Sequence, residues 1–276
     1  MTKLPLLHFH YHGHVTQAQE QQIRRTLEEC YVRLGHWLPE TVEVRLFDAP
    51  VQLAAFVEAE KAELGIKTLG DEAFICSHDA WRGSPRLLIC IERLLALSGV
   101  AQQGAVSHEA AHTVLHGGLA YYVFRLPLDC VELARAKGMQ LSLLQQVLYH
   151  CATAVKDYEV TRLLLRQGYE DCQVAFAQTQ FLPSDEDRLA WSLARCHPQG
   201  GLLFFTGQLK TLLLGCPLEL AGLLQLERCT DSMLTYIGPD ERKRLLGLAR
   251  SIAEQLGDDT HDNIRLTLRQ VLLKLL

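Results

Sequence analysis

Six consecutive residues, Ser107-His108-Glu109-Ala110-Ala111-His112, contain the pattern H-E-x-x-H. On a helix, residues i and i+4 lie on one face, so both imidazoles can reach the same metal ion. Glu109 would then lie beside the ion without binding it, where a carboxylate can polarise a metal-bound water. From the composition of the chain, the expected number of chance matches is roughly 0.035. The motif therefore predicts a metal site with His108 and His112 as ligands.

A catalytic zinc ion needs a third protein ligand and an open position for water. The best candidate is Glu159, because it falls in an otherwise apolar stripe of a long predicted helix. A carboxylate in such a stripe faces the core, and a buried charge needs a partner, which a metal ion would provide. The alternative is a salt bridge with Lys156 or Arg162 on the same helix.

Other residues near the motif suit supporting roles. Asp157 is the second candidate for the third ligand, but its more polar stripe better suits exposure to solvent or an outer position from which it could orient an imidazole. His116 would lie roughly 12 Å along the helix axis from His108, too far to share a tetrahedral ion. We therefore expect His116 in the core or supporting a ligand. The candidate donors of a hydrogen bond to the oxyanion are Tyr121, Tyr122, Tyr158 and His197. For each tyrosine, the alternative is packing in the core.

An α/β segment precedes the motif. Alternating and apolar runs predict strands at 4–11, 41–47, 73–76 and 86–91, with helices at 16–34 and 49–64. Ser98 is a suitable N-cap and Gly117-Gly118 a suitable stop for a motif helix over 98–118. His8, His10 and His12 share one side of the first strand, which favours an exposed polar face over a metal site.

The rest of the chain is predicted to be helical. A long helix over 141–168 carries Glu159, and leucine-rich helices follow over 171–276, including one from Pro217 to Arg228. Gly200-Gly201 is a weak internal break. The predicted fold is α+β: a domain over 1–170, with its α/β part at 1–97, and a helical subdomain over 171–276.

Composition limits the classes of function. The 276 residues are 48% hydrophobic, enough for a large core, and the net charge of −5 argues against nucleic acid as a partner. Nine widely spaced cysteines without C-x-x-C favour buried thiols in a reducing cytosol. The sequence shows no signal-peptide layout and no apolar run that approaches a membrane span. We therefore expect a cytoplasmic protein without a membrane partner.

The H-E-x-x-H motif followed by a Glu on a later helix resembles the gluzincin group of zincin metallopeptidases. The resemblance covers about residues 1–170 and implies Zn²⁺ bound by His108, His112 and Glu159, with Glu109 as general base. It also implies a zincin-like fold, in which a strand near the motif helix edges the substrate cleft. The extension to His116 is similar to that of small bacterial regulatory zincins.

Three functions follow from these patterns. The first is a zinc peptidase that hydrolyses peptides, with the strand Arg86–Ile91 pairing with an extended substrate. The second is a non-catalytic or latent zincin-like protein whose helical part binds a protein partner. The third, a DNA-linked regulator, is disfavoured by the negative charge. The leucine-rich helices are equally compatible with a lid, a second core or the contact face of a homo-oligomer.

Overall fold

A computed structural model describes residues 3–35, 37–65 and 74–276. The strands are β1 (Leu6–His12), β2 (Thr41–Phe47), β3 (Cys76–Asp79) and β4 (Arg86–Cys90). The helices are α1 (Gln17–Leu34), α2 (Pro50–Leu64), α3 (Ile91–Leu95), α4 (Gly99–Leu115), α5 (Leu128–Ala136), α6 (Leu141–Arg166), α7 (Glu170–Gln180), α8 (Asp185–Ala194), α9 (Pro198–Leu220), α10 (Leu226–Met233), α11 (Pro239–Ala253) and α12 (Thr260–Lys274). This is an α+β fold, as predicted.

The chain divides into two compact units. The first is Met1–Val123 together with Gln167–Phe176, and the second is Phe124–Arg166 together with Ala177–Leu276. This division differs from the predicted boundary at residue 170. The long helix α6 packs mainly on α9 and α12 and so belongs to the second unit, whereas the start of α7 belongs to the first.

The first unit contains a mixed sheet with strand order β1-β2-β4-β3. β1, β2 and β4 run parallel, and β3 is antiparallel to β4. Because β4 is hydrogen-bonded on both sides, it has no edge to offer to a peptide, and the predicted pairing of substrate with Arg86–Ile91 is wrong. Within the described residues, the outer strands are β1 and β3.

Two predicted strands differ in detail from the structure. In β1, His8 and His10 are exposed, in keeping with the polar outer face that the pattern favours, while the His12 ring stacks on Phe47 with ring centroids 4.4 Å apart. The strand predicted over 73–76 begins only at Cys76 and continues to Asp79. Ala73 lies outside the described residues.

Helix α4 is the central element of the first unit. The Ser98 hydroxyl accepts a hydrogen bond from the Ala101 amide, so the predicted N-cap is confirmed, and the helix ends at Leu115. Residues 104–113 are all buried. Helix α1 covers one side, where the Tyr31 and Thr113 hydroxyls lie 2.8 Å apart. This stretch has no solvent face, and its polar side chains must find partners inside the protein.

The first residues of α7 cross α4 very closely at Gly104. A Cβ added there would overlap the carbonyl oxygen of Cys172 and would lie 2.8 Å from Cβ of Phe176. Only glycine allows this approach of two backbones. The contact places α7 beside the histidine motif.

In the second unit, α9 is the one described helix long and apolar enough, by length and composition, to cross a membrane. Its most apolar window is 61% buried, and the helix packs on α6, α8, α10 and α11, which is typical of a core helix in a soluble protein. The expectation that no apolar run reaches membrane length is therefore corrected. Gly200, Gly201 and Pro217 all lie inside α9, so the predicted break and the predicted helix start at Pro217 are wrong.

We predict that Gly104→Ala lowers the free energy of unfolding by about 1–3 kcal/mol, because α7 must move away from α4 to admit the methyl group. The matched control is Gly99→Ala in the first turn of the same helix, where an added Cβ has nothing within 4 Å. Urea denaturation followed by circular dichroism measures both. Equal midpoints for the two variants would contradict the close approach.

Candidate metal centre

His108 and His112 face each other on α4. Their Nε2 atoms are 3.2 Å apart, and the ring planes meet at 72°. Both side chains are buried, at 2% and 1% exposure. Two tetrahedral zinc ligands with Zn–N bonds of 2.0–2.1 Å are separated by about 3.3 Å. The two nitrogens therefore have the separation that a single zinc ion requires.

Gln173 on α7 determines the tautomer of His108. Its side-chain amide nitrogen donates to the carbonyl oxygen of Gly104 at 3.0 Å, which turns its Oε1 towards His108 Nδ1 at 3.3 Å. Since that oxygen can only accept, His108 carries its proton on Nδ1 and presents a lone pair at Nε2. This is the arrangement that metal-bound histidines show.

His116 contacts His112 on the side away from His108. The two Nδ1 atoms are 3.1 Å apart, and the His116 ring packs edge-on against Tyr121. His116 is fully buried. It therefore orients the His112 ring without facing the Nε2 pair.

His78 joins the motif from β3. Its Nδ1 is 2.6 Å from Oε2 of Glu109, and its ring stacks on His112 with centroids 3.6 Å apart and planes at 10°. Donor atoms of His78, Glu109 and His112 all lie within 4.8 Å of one another. Sequence reasoning missed both His78 and Gln173. Neither belongs to a motif, and only the pairing of β3 with β4 and the crossing of α7 over α4 bring them here.

A buried ion cluster fixes the strand that carries His78. The Arg86 guanidinium on β4 binds both oxygens of Glu60, at 2.7 and 2.5 Å, and its Nε lies 2.7 Å from Asp79 on β3. Burial lowers the pKa of Arg86, but the two carboxylates more than offset this and keep the guanidinium charged. Breaking such a buried cluster is costly, so Asp79 and the adjacent His78 are held firmly.

Tyr122 lies in the same region. Burial raises its pKa far above the usual value, and the carboxylates of Asp79 and Glu109 raise it further. The phenol therefore keeps its proton and can donate a hydrogen bond. Of the other oxyanion candidates, Tyr121 packs on His116, whereas Tyr158 and His197 belong to the second unit. There Tyr158 donates to the Ala253 carbonyl, and His197 is exposed at the start of α9.

Glu159 lies in a polar pocket formed with α12. Its two carboxylate oxygens accept hydrogen bonds from Thr260 at 2.8 Å and from Asn263 at 2.6 Å, both on α12 of the second unit. Among the described residues, Glu159 belongs to no group of three potential metal donors. The prediction that it faces the core is confirmed, and the buried carboxylate has polar partners there. Its role as a metal ligand stays a prediction.

Two neighbouring residues of α6 also have partners within the second unit. Arg162, the predicted alternative partner of Glu159, donates to the Gly257 carbonyl and pairs with Asp258. Asp157 is buried, so the alternative of solvent exposure is wrong, and its Oδ2 lies 3.9 Å from Lys210 Nζ on α9. Two positions apart on a helix, Asp157 and Glu159 point in nearly opposite directions. The two side chains therefore contact different neighbours.

Cys76 also lies on β3, two residues before His78, so cysteine nucleophilic chemistry needs to be considered. Enclosure of its thiol raises the pKa of Cys76 well above the usual value, and the Glu109 carboxylate raises it further. A nucleophilic cysteine needs the opposite shift, because the thiolate is the reactive form. Cys76 therefore does not suit the role of nucleophile.

Comparison with known proteins gives no assignment: no protein-family model, no curated protein and no solved structure matches this chain.

We predict that iodoacetamide at pH 8 alkylates the exposed Cys196 in the native protein long before Cys76, whose raised pKa leaves almost no thiolate. Peptide mapping by mass spectrometry measures both rates. The urea-denatured chain, in which all nine cysteines should react, is the control. Alkylation of Cys76 as fast as Cys196 would reopen the nucleophile hypothesis.

Proposed function

We propose that this protein is a zinc-dependent peptide hydrolase with a zincin-like metal site. The observation that supports this most is the pair of buried Nε2 atoms, 3.2 Å apart on α4, with the Glu109 carboxylate next to His108 in the chain. The tautomer of His108 imposed by Gln173 fits a metal ligand. When bound, zinc lowers the pKa of its water and polarises the scissile carbonyl group.

The residues of the chain have the following proposed roles. His108 and His112 hold the ion, while Gln173 and His116 hold the two rings. Glu109 takes a proton from the attacking water and later delivers it to the leaving amine. Tyr122, which keeps its proton, donates a hydrogen bond to the oxygen that becomes negative during the attack.

An extended peptide is the substrate that this arrangement fits best. Within the described residues, β3 is hydrogen-bonded on one side only, and it carries His78 beside Glu109. A peptide strand that adds to this edge gains main-chain hydrogen bonds and passes close to the base. In our proposal, the substrate therefore pairs with the free edge of β3 and not with β4.

A latent form of the same protein is the second candidate. As whole residues, Glu109, His108 and His112 are between 1% and 7% exposed, so little of the site reaches solvent. A form that binds zinc without hydrolysing peptides would fit this burial, with the helical part serving a protein partner. Because all nine cysteines are unpaired thiols, we propose a cytoplasmic location for either form.

The first test is metal content, measured by mass spectrometry together with hydrolysis of a fluorogenic peptide library. We expect about one zinc per chain in the native protein, its loss in His108→Ala, and its retention in Glu109→Gln. Glu109→Gln should lower turnover by at least about 10²-fold, because the amide cannot take the proton.

Two results would contradict the proposal. A native protein that takes up no zinc, even after reconstitution, would leave no metal site. Turnover by Glu109→Gln at the native rate would remove the general base. Zinc with no hydrolysis of any peptide would support the latent form.

The third ligand stays a prediction from the sequence, with Glu159 as the first candidate and Asp157 as the second. Loss of zinc in Glu159→Gln alone would identify Glu159, and loss in Asp157→Asn alone would identify Asp157. Because both oxygens of Glu159 accept hydrogen bonds from α12, we expect Glu159→Gln to lower the free energy of unfolding by about 1–3 kcal/mol. Zinc competition with a chelating dye and urea denaturation measure the two effects.

A further inference from the structure

We propose that His78 is a positioning residue that holds the general base Glu109 through its Nδ1–H group, an inference that rests on the proposed hydrolase function. The hydrogen bond is short, 2.6 Å between Nδ1 and Oε2, and both side chains are largely enclosed, at 13% and 10% exposure. A hydrogen bond to a carboxylate in such surroundings is strong and directional. It fixes one oxygen of Glu109.

The His78 ring is itself held from several directions. One face stacks on His112, with centroids 3.6 Å apart. The backbone of His78 is paired with Leu87 of β4, and the next residue, Asp79, binds the buried Arg86. The position of Glu109 is therefore set by the sheet as well as by its own helix. A base held by a rigid support loses little entropy when the substrate reacts.

The stacking also explains why His78 is a support and not a third ligand. The lone pairs of an imidazole lie in the plane of its ring. The planes of His78 and His112 are nearly parallel, at 10°, and stacked. Lone pairs in stacked parallel planes do not converge on an ion that must lie about 2.1 Å from each nitrogen. The ring of His108 is inclined by 72° to that of His112, so the Nε2 lone pairs of these two rings can converge on one ion.

Because His78 binds one oxygen of Glu109, the two carboxylate oxygens have different roles. Oε2 stays bonded to His78, and Oε1 is the atom that accepts the proton. A lone pair of the attacking water forms the new bond to the carbonyl carbon, the carbonyl π pair moves to its oxygen, and the water proton passes to Oε1. When the carbonyl group re-forms, the C–N bond breaks with its electron pair going to the nitrogen, and the same proton moves from Oε1 to that nitrogen. His78 keeps its own proton on Nδ1 throughout.

The test uses two amides that differ in where they place a donor. In His78→Asn the amide nitrogen takes the place of Nδ1 and can still donate to Glu109. In His78→Gln it lies near the place of Nε2 and cannot do so without rearrangement. We expect His78→Gln to lower kcat by about 10²-fold, with KM and zinc content unchanged, and His78→Asn to recover most of the loss. His10→Gln, at an exposed histidine on β1, is the control and should resemble the native protein.

A second measurement does not depend on zinc or turnover. Long-range ¹H–¹⁵N NMR of the zinc-free full chain should show His78 protonated on Nδ1, with that proton resonance shifted in Glu109→Gln. The inference is overturned if His78 is protonated on Nε2 alone, or if the two amides have equal kcat. It is also overturned if His78→Gln loses zinc as His108→Ala does.

Failure of the proposed function is distinguishable from failure of this inference. If the native protein neither binds zinc nor hydrolyses peptides, the hydrolase proposal falls. The pairing of His78 with Glu109 is then decided by the NMR measurement alone. The Nδ1–H resonance supports it, and its absence overturns it.

Discussion

The enclosure of α4 is the constraint on which the first unit depends. A helix buried along residues 104–113 cannot leave its imidazoles and its carboxylate to solvent, so each must have a partner within the protein. His108 has Gln173, His112 has His116, and Glu109 has His78. These partners come from three different elements. The sheet, α7 and the end of α4 itself therefore all serve one short stretch of sequence.

The same enclosure explains how polar groups are distributed around the site. The Arg86 guanidinium on β4 binds Asp79 and Glu60 and so ties β3, which carries His78, to β4. Burial raises the pKa of the Tyr122 phenol and of the Cys76 thiol, nearby acidic groups raise both further, and the two groups stay protonated. In such surroundings Tyr122 and Cys76 can donate hydrogen bonds, but they cannot act as anionic nucleophiles.

What the sequence could predict was local. Periodicity and capping predicted α4 and the α/β order, and the spacing of His108 and His112 predicted a shared face. Glu159 shows the limit of such reasoning: an apolar stripe indicates that a side chain is buried, but not which residues meet it. The amide of Asn263, 104 positions away, is one of the groups that meet it. The roles of His78 and Gln173 could not be predicted from the sequence either, because their positions depend on tertiary contacts.

The order in which the chain returns to the first unit has a consequence for its synthesis. Residues 124–166 belong to the second unit, and Gln167–Phe176 then completes the first. On the ribosome, the motif helix therefore emerges well before the segment that covers Gly104 and orients His108. Until that segment arrives, α4 has an open apolar flank. A fragment that stops at Val123 would lack the same covering segment. The shortest fragment that contains the whole first unit must therefore extend beyond α6.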